Sequence, residues 1–218
     1  MVYRTVFFLI VLFWGLSAYA QDPHQIQKYA SVNSSVLPLS KAPAFETVLG
    51  STRAPMGWPQ FCADEPRDCI THDRNETVQL TSFKKQELVR VNTQVNKDVT
   101  PMTDLDHYGV IEKWAYPDDG KGDCEDYALQ KRRMLIQRGW PASALLMTVV
   151  RDQRNEGHAV LTVHTSAGDL ILDNQRDEIL AWNETGYHYV KRQSQNDVNE
   201  WVSLTDQVGA DLAVSAEH

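Results

Sequence analysis

Cysteine is scarce in this chain: three residues in 218, alongside seven histidines. That scarcity excludes a disulfide-dense mini-protein and a multi-zinc array. A basic excess is also missing. Lysine and arginine total 21 against 29 acidic residues, for a net charge of -8 and a sequence pI near 5.3. Non-specific nucleic-acid binding, which needs a basic face to displace counterions from phosphates, is therefore excluded. Internal repeats and low-complexity tracts are absent. At 42% hydrophobic and 23% charged residues the composition is that of an ordinary globular protein, not of a disordered, collagenous or coiled-coil chain. The length suits one domain, or one domain with an extension.

The long apolar run that does occur is N-terminal. Val6 to Leu16 is broken only by Gly15, follows the lone charge Arg4, and leads into Ala18-Tyr19-Ala20, the small-x-small pattern of a signal-peptidase site. A membrane span needs about 20 apolar residues, roughly twice this run. Residues 1–20 are therefore expected to be a secretory signal peptide, cleaved after Ala20, rather than an anchor. In an oxidising compartment nearby thiols pair. Cys62 and Cys69 are seven positions apart with Pro66 turning the chain between them, so they are expected to form a local disulfide. Cys124 is left over, as either a buried inert residue or a reactive thiol.

Along the mature chain, residues 21–43 are polar and aperiodic and read as a flexible N-terminal arm. Residues 44–76 carry Pro55, Gly57, Pro59 and Pro66 and read as irregular structure. Leu88, Val91 and Val95 repeat at helical spacing, which predicts an amphipathic helix over 82–97 ended by Pro101. A turn-rich loop at 117–122 precedes a second helix. Asp123 is its expected N-cap, with Asp126 three residues on as in a capping box. Cys124, Tyr127, Ala128, Met134 and Leu135 form its apolar stripe. Lys131, Arg132, Arg133 and Arg138 suit the negative end of its dipole, and Gly139 and Pro141 stop it. The period then switches to two, predicting strands at 144–150, 158–165, 169–173, 187–192 and 201–204. Helices followed by an antiparallel meander make an α+β domain over 44–218.

The chemistry converges on Cys124. At a helix N-terminus, unpaired N–H groups and the dipole favour a thiolate, the nucleophilic form of cysteine. A base must take its proton, and the usual base is histidine. His158 opens a strand, on the face opposite Ala159, Leu161 and Val163. Asp173 closes the next strand. A hairpin centred between Thr165 and Ser166 would make His158 and Asp173 lateral neighbours, with the carboxylate orienting the imidazole and the other ring nitrogen facing the thiol. Taken singly, each of these residues is more often a packing, surface or turn residue.

Gly122-Asp123-Cys124-Glu125-Asp126-Tyr127-Ala128, followed by Lys131, Leu135 and Gly139, resembles the signature of the bacterial transglutaminase-like cysteine peptidases, the family of the LapG-like periplasmic adhesin proteases. His158-Ala159-Val160-Leu161 and Leu172-Asp173-Asn174 resemble its other two motifs, in the same order. Asp106-His107-Tyr108-Gly109, Trp114-Ala115-Tyr116-Pro117 and the Phe61-Cys62 to Cys69 segment also fit it. The resemblance extends over about residues 44–204. It implies a papain-like or transglutaminase-like fold, the triad Cys124, His158 and Asp173, and cleavage of a protein substrate in the bacterial periplasm. Within one branch of the family the substrate is a large surface adhesin, and an inner-membrane cyclic-di-GMP receptor sequesters the protease. The resemblance makes both candidate partners and links the chain to biofilm release.

Asp123, Glu125 and Asp126 flank the cysteine. Three carboxylates there oppose a thiolate, and a bound Ca²⁺ would relieve them; the resemblance likewise implies calcium beside the cysteine. The competing reading is that all three acids only cap the helix. Trp114 is expected to pack in the core rather than line a cleft. The function that follows is an exported cysteine peptidase without an organic cofactor. The alternatives are an acyl transferase that uses the same triad, and a non-catalytic periplasmic binding protein that keeps the fold.

Overall fold

The computed structural model describes residues 45–71 and 75–204. The expected signal peptide and the arm at 21–43 lie outside the described residues. In chain order the elements are β1 (Gly50–Thr52), α1 (Gly57–Asp64), α2 (Ser82–Asp98), β2 (Thr100–Pro101), α3 (Asp104–Tyr108), β3 (Lys121–Gly122) and α4 (Cys124–Gln137). Strands β4 (Leu145–Arg151), β5 (Gly157–Thr165), β6 (Gly168–Asp173), β7 (Arg176–Ala181), β8 (His188–Gln193) and β9 (Trp201–Ser203) follow. The main sheet has the order β1-β9-β8-β4-β5-β6-β7, and every neighbouring pair is antiparallel. β2 and β3 form a separate parallel pair. This is the expected α+β arrangement, with the helices preceding all of the antiparallel sheet except its edge strand β1. Among the described residues no helix is long and apolar enough to cross a membrane.

α4 packs against β5 on one side and α2 on the other. Cys124, Ala128, Leu129 and Leu135 from the helix join Met147, Val149, Ala159, Leu161, Val163 and Leu172 from the sheet in one apolar cluster. On the opposite sheet face Val150, Val160, Ile171, Tyr187 and Tyr189 form a second. Burial therefore surrounds α4 instead of following one stripe, and Lys131 and Arg132 lie inside at 1% exposure each. The sequence placed them at the negative end of the helix dipole, and the structure buries both. Arg132 Nε instead donates to the Leu145 carbonyl at 3.2 Å. Arg138 does act at the helix end, with Nη1 donating to the Met134 carbonyl at 2.8 Å.

Residues 44–76 are not wholly irregular. α1 forms there because Pro59 falls in its first turn, where a missing N–H costs nothing. Gly57 lets it close on the core, since a Cβ at that position would lie 2.1 Å from Trp114 Cδ1. Trp114 packs edge-on to Trp58 and Trp201, as a core residue should. Cys62 and Cys69 are joined in a disulfide with their Cα atoms 5.6 Å apart.

Candidate active site

Two devices put Cys124 where it is. The parallel β2–β3 pair sets Thr100 against Lys121 and Pro101 against Gly122, and the chain then turns at Asp123 into the first residue of α4. Gly122 is required by space: a Cβ there would approach Asp126 Oδ2 to 2.5 Å. Cys124 stands outside any disulfide and is buried. Its Sγ accepts from the Ala159 backbone N–H at 3.3 Å and donates to Glu125 Oε2 at 3.1 Å. The thiol therefore abuts the backbone of the residue after His158.

His158 and Asp173 are also brought together. His158 Nε2 lies 2.9 Å from Asp173 Oδ1, and both side chains are buried. The hairpin register differs from the one the sequence suggested. Leu161 pairs with Leu172 and Thr165 with Gly168, so the turn is Ser166-Ala167 and Asp173 sits two positions off the residue opposite His158. An offset of two preserves the sheet face, and the diagonal distance is within reach of an imidazole. Asp173 is held to about 2. Burial alone would raise it, but the hydrogen bond and charge of His158, the Tyr187 hydroxyl and the Gln175 N–H together prevail. An ionised carboxylate only accepts, so Nε2 carries a hydrogen, and in the neutral form of the ring the lone pair falls on Nδ1. His158 Nδ1 is buried and has no hydrogen-bond partner.

The acids flanking the thiol sort differently from their order in sequence. Asp123 occupies the N-cap position, but its side chain makes no capping bond; its Oδ2 accepts from the Asp104 N–H at 3.3 Å. Asp126 Oδ1 accepts from the Ala115 N–H at 2.8 Å. Asp104, Asp123 and Glu125 each offer a carboxylate oxygen within 4.8 Å of the others, and all three residues are buried. Asp126 is not in this group. Asp104 replaces it, carried in by the β2–β3 pairing from 19 residues upstream of Asp123, with no local signal in the sequence to mark it. Asp104 Oδ1, Asp123 Oδ1 and Glu125 Oε1 are buried without hydrogen-bond partners. Burial, then the Asp123 charge, pushes Asp104 up to about 7. Burial and mutual repulsion also raise Glu125 and Asp126, and burial raises Asp123. The Cys124 thiol is pushed well above its ordinary value by burial and by Glu125 and Asp123. Burial and these carboxylates thus oppose the thiolate that a helix N-terminus favours, while Glu125 and Asp126 stand in the first turn and Asp123 makes no side-chain cap.

Cys124 opens onto a cavity of about 310 Å³ whose walls include Met102, Thr103, Asp106, Asn174 and Gln175. Sequence reasoning missed the groups that hold Asp173. Asn92 Oδ1 accepts from its N–H at 3.1 Å, and Asn96 Nδ2 donates to its carbonyl at 3.0 Å. Both asparagines lie on α2, one turn apart. Only their i, i+4 spacing on a predicted helix was visible beforehand.

The solved structures that resemble this chain include three of Legionella pneumophila LapG. One is 30% identical and matches over 50% of this chain and 62% of that chain, less than two thirds of its length, with a TM-score of 0.43. The calcium-bound form is 26% identical over 61% of this chain and 74% of that chain, with a TM-score of 0.48. The EGTA-treated form is 26% identical over 57% and 69%, with a TM-score of 0.46. No curated protein is a significant match. A family model for the bacterial transglutaminase-like cysteine proteinases matches residues 48–208. That span is well over half of the chain and contains Cys124, His158 and Asp173, so the chain belongs to the family of bacterial transglutaminase-like cysteine proteinases.

Proposed function

We propose that this chain is an exported cysteine peptidase that hydrolyses a peptide bond in a protein substrate, with Cys124 as nucleophile, His158 as base and acid, and Asp173 as its orienting carboxylate. The observation that carries the reading is the buried His158–Asp173 pair, 2.9 Å apart across β5 and β6, with the N–H of Ala159, next after His158, touching Cys124 Sγ at the edge of a cavity. His158 Nδ1 takes the thiol proton as Sγ bonds to the scissile carbonyl carbon. N–H groups in the first turn of α4 and the positive dipole end stabilise the oxyanion. Collapse of the tetrahedral intermediate breaks the C–N bond, and His158 returns the proton to the leaving amine. Water, deprotonated by His158, then cleaves the thioester and regenerates the thiol.

Calcium fits the flanking cluster, because three buried carboxylate oxygens lack donors and hard oxygen ligands suit that ion. Asp104, Asp123 and Glu125 would hold it. Its charge would offset the carboxylates that oppose ionisation of Cys124. Export to the periplasm rests on the signal-like segment at 1–20, and a surface adhesin substrate and a cyclic-di-GMP receptor rest on the family resemblance.

The test is a comparison of new protein N-termini, mapped by terminal labelling and mass spectrometry, after adding parent or Cys124→Ala protein to cell-envelope extract with calcium. Parent should create a defined set that Cys124→Ala does not, on surface proteins above all. Identical sets would refute the peptidase reading. Products joined to an added amine instead of to water would identify an acyl transferase.

A further inference from the structure

Every polar atom of Asp173 is occupied. Oδ1 accepts from His158 Nε2 and from the Gln175 N–H, both at 2.9 Å. Oδ2 accepts from the Tyr187 hydroxyl at 2.6 Å and lies 3.5 Å from Arg176 Nε. The main chain on both sides is clamped by Asn92 and Asn96.

We infer that Tyr187 is a positioning residue of this site, resting on the triad reading above: its hydroxyl holds Oδ2 of Asp173 so that Oδ1 stays on His158, while its ring bears on the imidazole. One side chain thus touches both members of the pair. The Tyr187 and His158 rings meet edge to face, with centroids 5.7 Å apart at 78°. Arg176 Nη2 donates to the Tyr187 oxygen at 3.2 Å, which polarises the O–H toward the carboxylate. Burial, then the Asp173 charge, pushes the phenol well above its ordinary range, so it remains a donor throughout the working range of a cysteine–histidine pair.

The chemistry explains why a second donor is needed. A carboxylate held by one oxygen can rotate about its Cβ–Cγ bond and exchange the oxygen it shows to the imidazole. The hydrogen on Nε2, and the lone pair it leaves on Nδ1, are defined only while the carboxylate plane is fixed. Small displacements of such groups cost large factors in rate. Asn92 and Asn96 already fix the Asp173 backbone from α2. That leaves the carboxylate orientation to the side-chain contacts, in which the Tyr187 hydroxyl is the short bond on Oδ2, with the Gln175 N–H on Oδ1 and Arg176 Nε farther off at 3.5 Å. Tyr187 precedes β8, which is separated from β6 by β4 and β5 in the sheet, so this contact is made by fold and not by strand pairing.

The experiment uses purified mature protein with calcium and p-nitrophenyl acetate as an acyl probe, measuring kcat, KM and melting temperature. The variants are Tyr187→Phe, Asp173→Asn, the double variant and Cys124→Ala. Tyr187→Phe keeps the ring and deletes one oxygen. Its kcat should fall about tenfold, the order expected for a hydrogen bond to a charged group, with KM within about twofold of the parent. In the Asp173→Asn background the same deletion should cost less than about twofold, because the role runs through that carboxylate. Where ester turnover is below detection, the rate of Cys124 alkylation by iodoacetamide gives the same comparison.

A parent-like kcat, an equal loss in both backgrounds, or a melting temperature that collapses with the hydroxyl would each overturn the positioning role. Turnover that survives in Cys124→Ala, or a parent inert to both probes, would instead count against the triad reading itself. A dead Cys124→Ala beside a parent-like Tyr187→Phe would sink the inference alone.

Discussion

Replacing Asp104 by asparagine separates a calcium site from a set of helix caps. The amide keeps the shape of the carboxyl and can still accept the Lys113 N–H that Asp104 Oδ2 accepts, but removes one of three converging charges. If the parent binds calcium and the ion is present at about a hundred times Kd, binding adds roughly 2.7 kcal/mol of stability. For a domain of this size that is about 5–11 °C in melting temperature. Losing one charged ligand should weaken Kd about a hundredfold, leaving roughly 0.4 kcal/mol, or about 1–2 °C.

The sign with pH is also fixed. Asp104 is raised to about 7 from an unfolded value near 3.9. The folded chain without calcium therefore loses stability as pH rises from about 4 to about 7, since the unfolded state then ionises more readily. In chelator, Asp104→Asn should melt above the parent at pH 8 and alongside it at pH 4. The assay is scanning calorimetry in calcium and in EGTA at both pH values. A parent melting identically in calcium and EGTA at pH 8, or a full calcium response in Asp104→Asn, would refute the reasoning.

Three further outcomes are expected. Removing the Cys62–Cys69 bridge with paired serines frees a closed loop of eight residues, worth about 2–3 kcal/mol, and should lower the melting temperature by roughly 5–10 °C while Cys124 reactivity persists. Lys131 is depressed to about 7 by burial, so the folded state sheds its proton before the unfolded state does. Lys131→Met should therefore gain most over the parent below pH 7, and the gain should shrink as pH rises toward 10.5, as urea unfolding at pH 6 and pH 10 would show. Asp173→Asn should leave the fold intact yet lower p-nitrophenyl acetate turnover by two orders of magnitude or more, given about 10⁴ for the analogous change in a serine triad; a loss under threefold would contradict the role given to that carboxylate.

What the sequence made legible was what local pattern controls. α4, with Cys124 at its start, announced itself through Asp123, the turn-rich loop before it and Gly139 after it, and the alternation in β4, β5 and β6 put His158 and Asp173 on one face. That parity survived an error of two residues in register, because side chains alternate with period two. α1 stayed hidden behind its prolines. β7 stayed hidden because an edge strand reading Arg-Asp-Glu-Ile-Leu-Ala is half exposed and does not alternate cleanly. Burial of Lys131 and Arg132 could not be read from a helix whose polar side happens to be covered by α2 and the sheet. Asp104 and Tyr187 were beyond reach for a further reason: each meets its partner through a contact set by the whole fold, 19 and 14 residues away, with no motif to fix the distance.

The central claim is that Cys124 reacts because His158, steered by Asp173, takes its proton. The most direct measurement is the rate of Cys124 alkylation by iodoacetamide at fixed pH with calcium present, followed by intact mass on unreduced parent, His158→Ala and Asp173→Asn protein, each shown to be folded by circular dichroism. The parent should gain one adduct, mapped to Cys124. His158→Ala should be slowed about a hundredfold or more, the low end of what a positioned base supplies, with Asp173→Asn between the two. Equal rates in all three folded proteins, or an adduct that forms elsewhere, would contradict it.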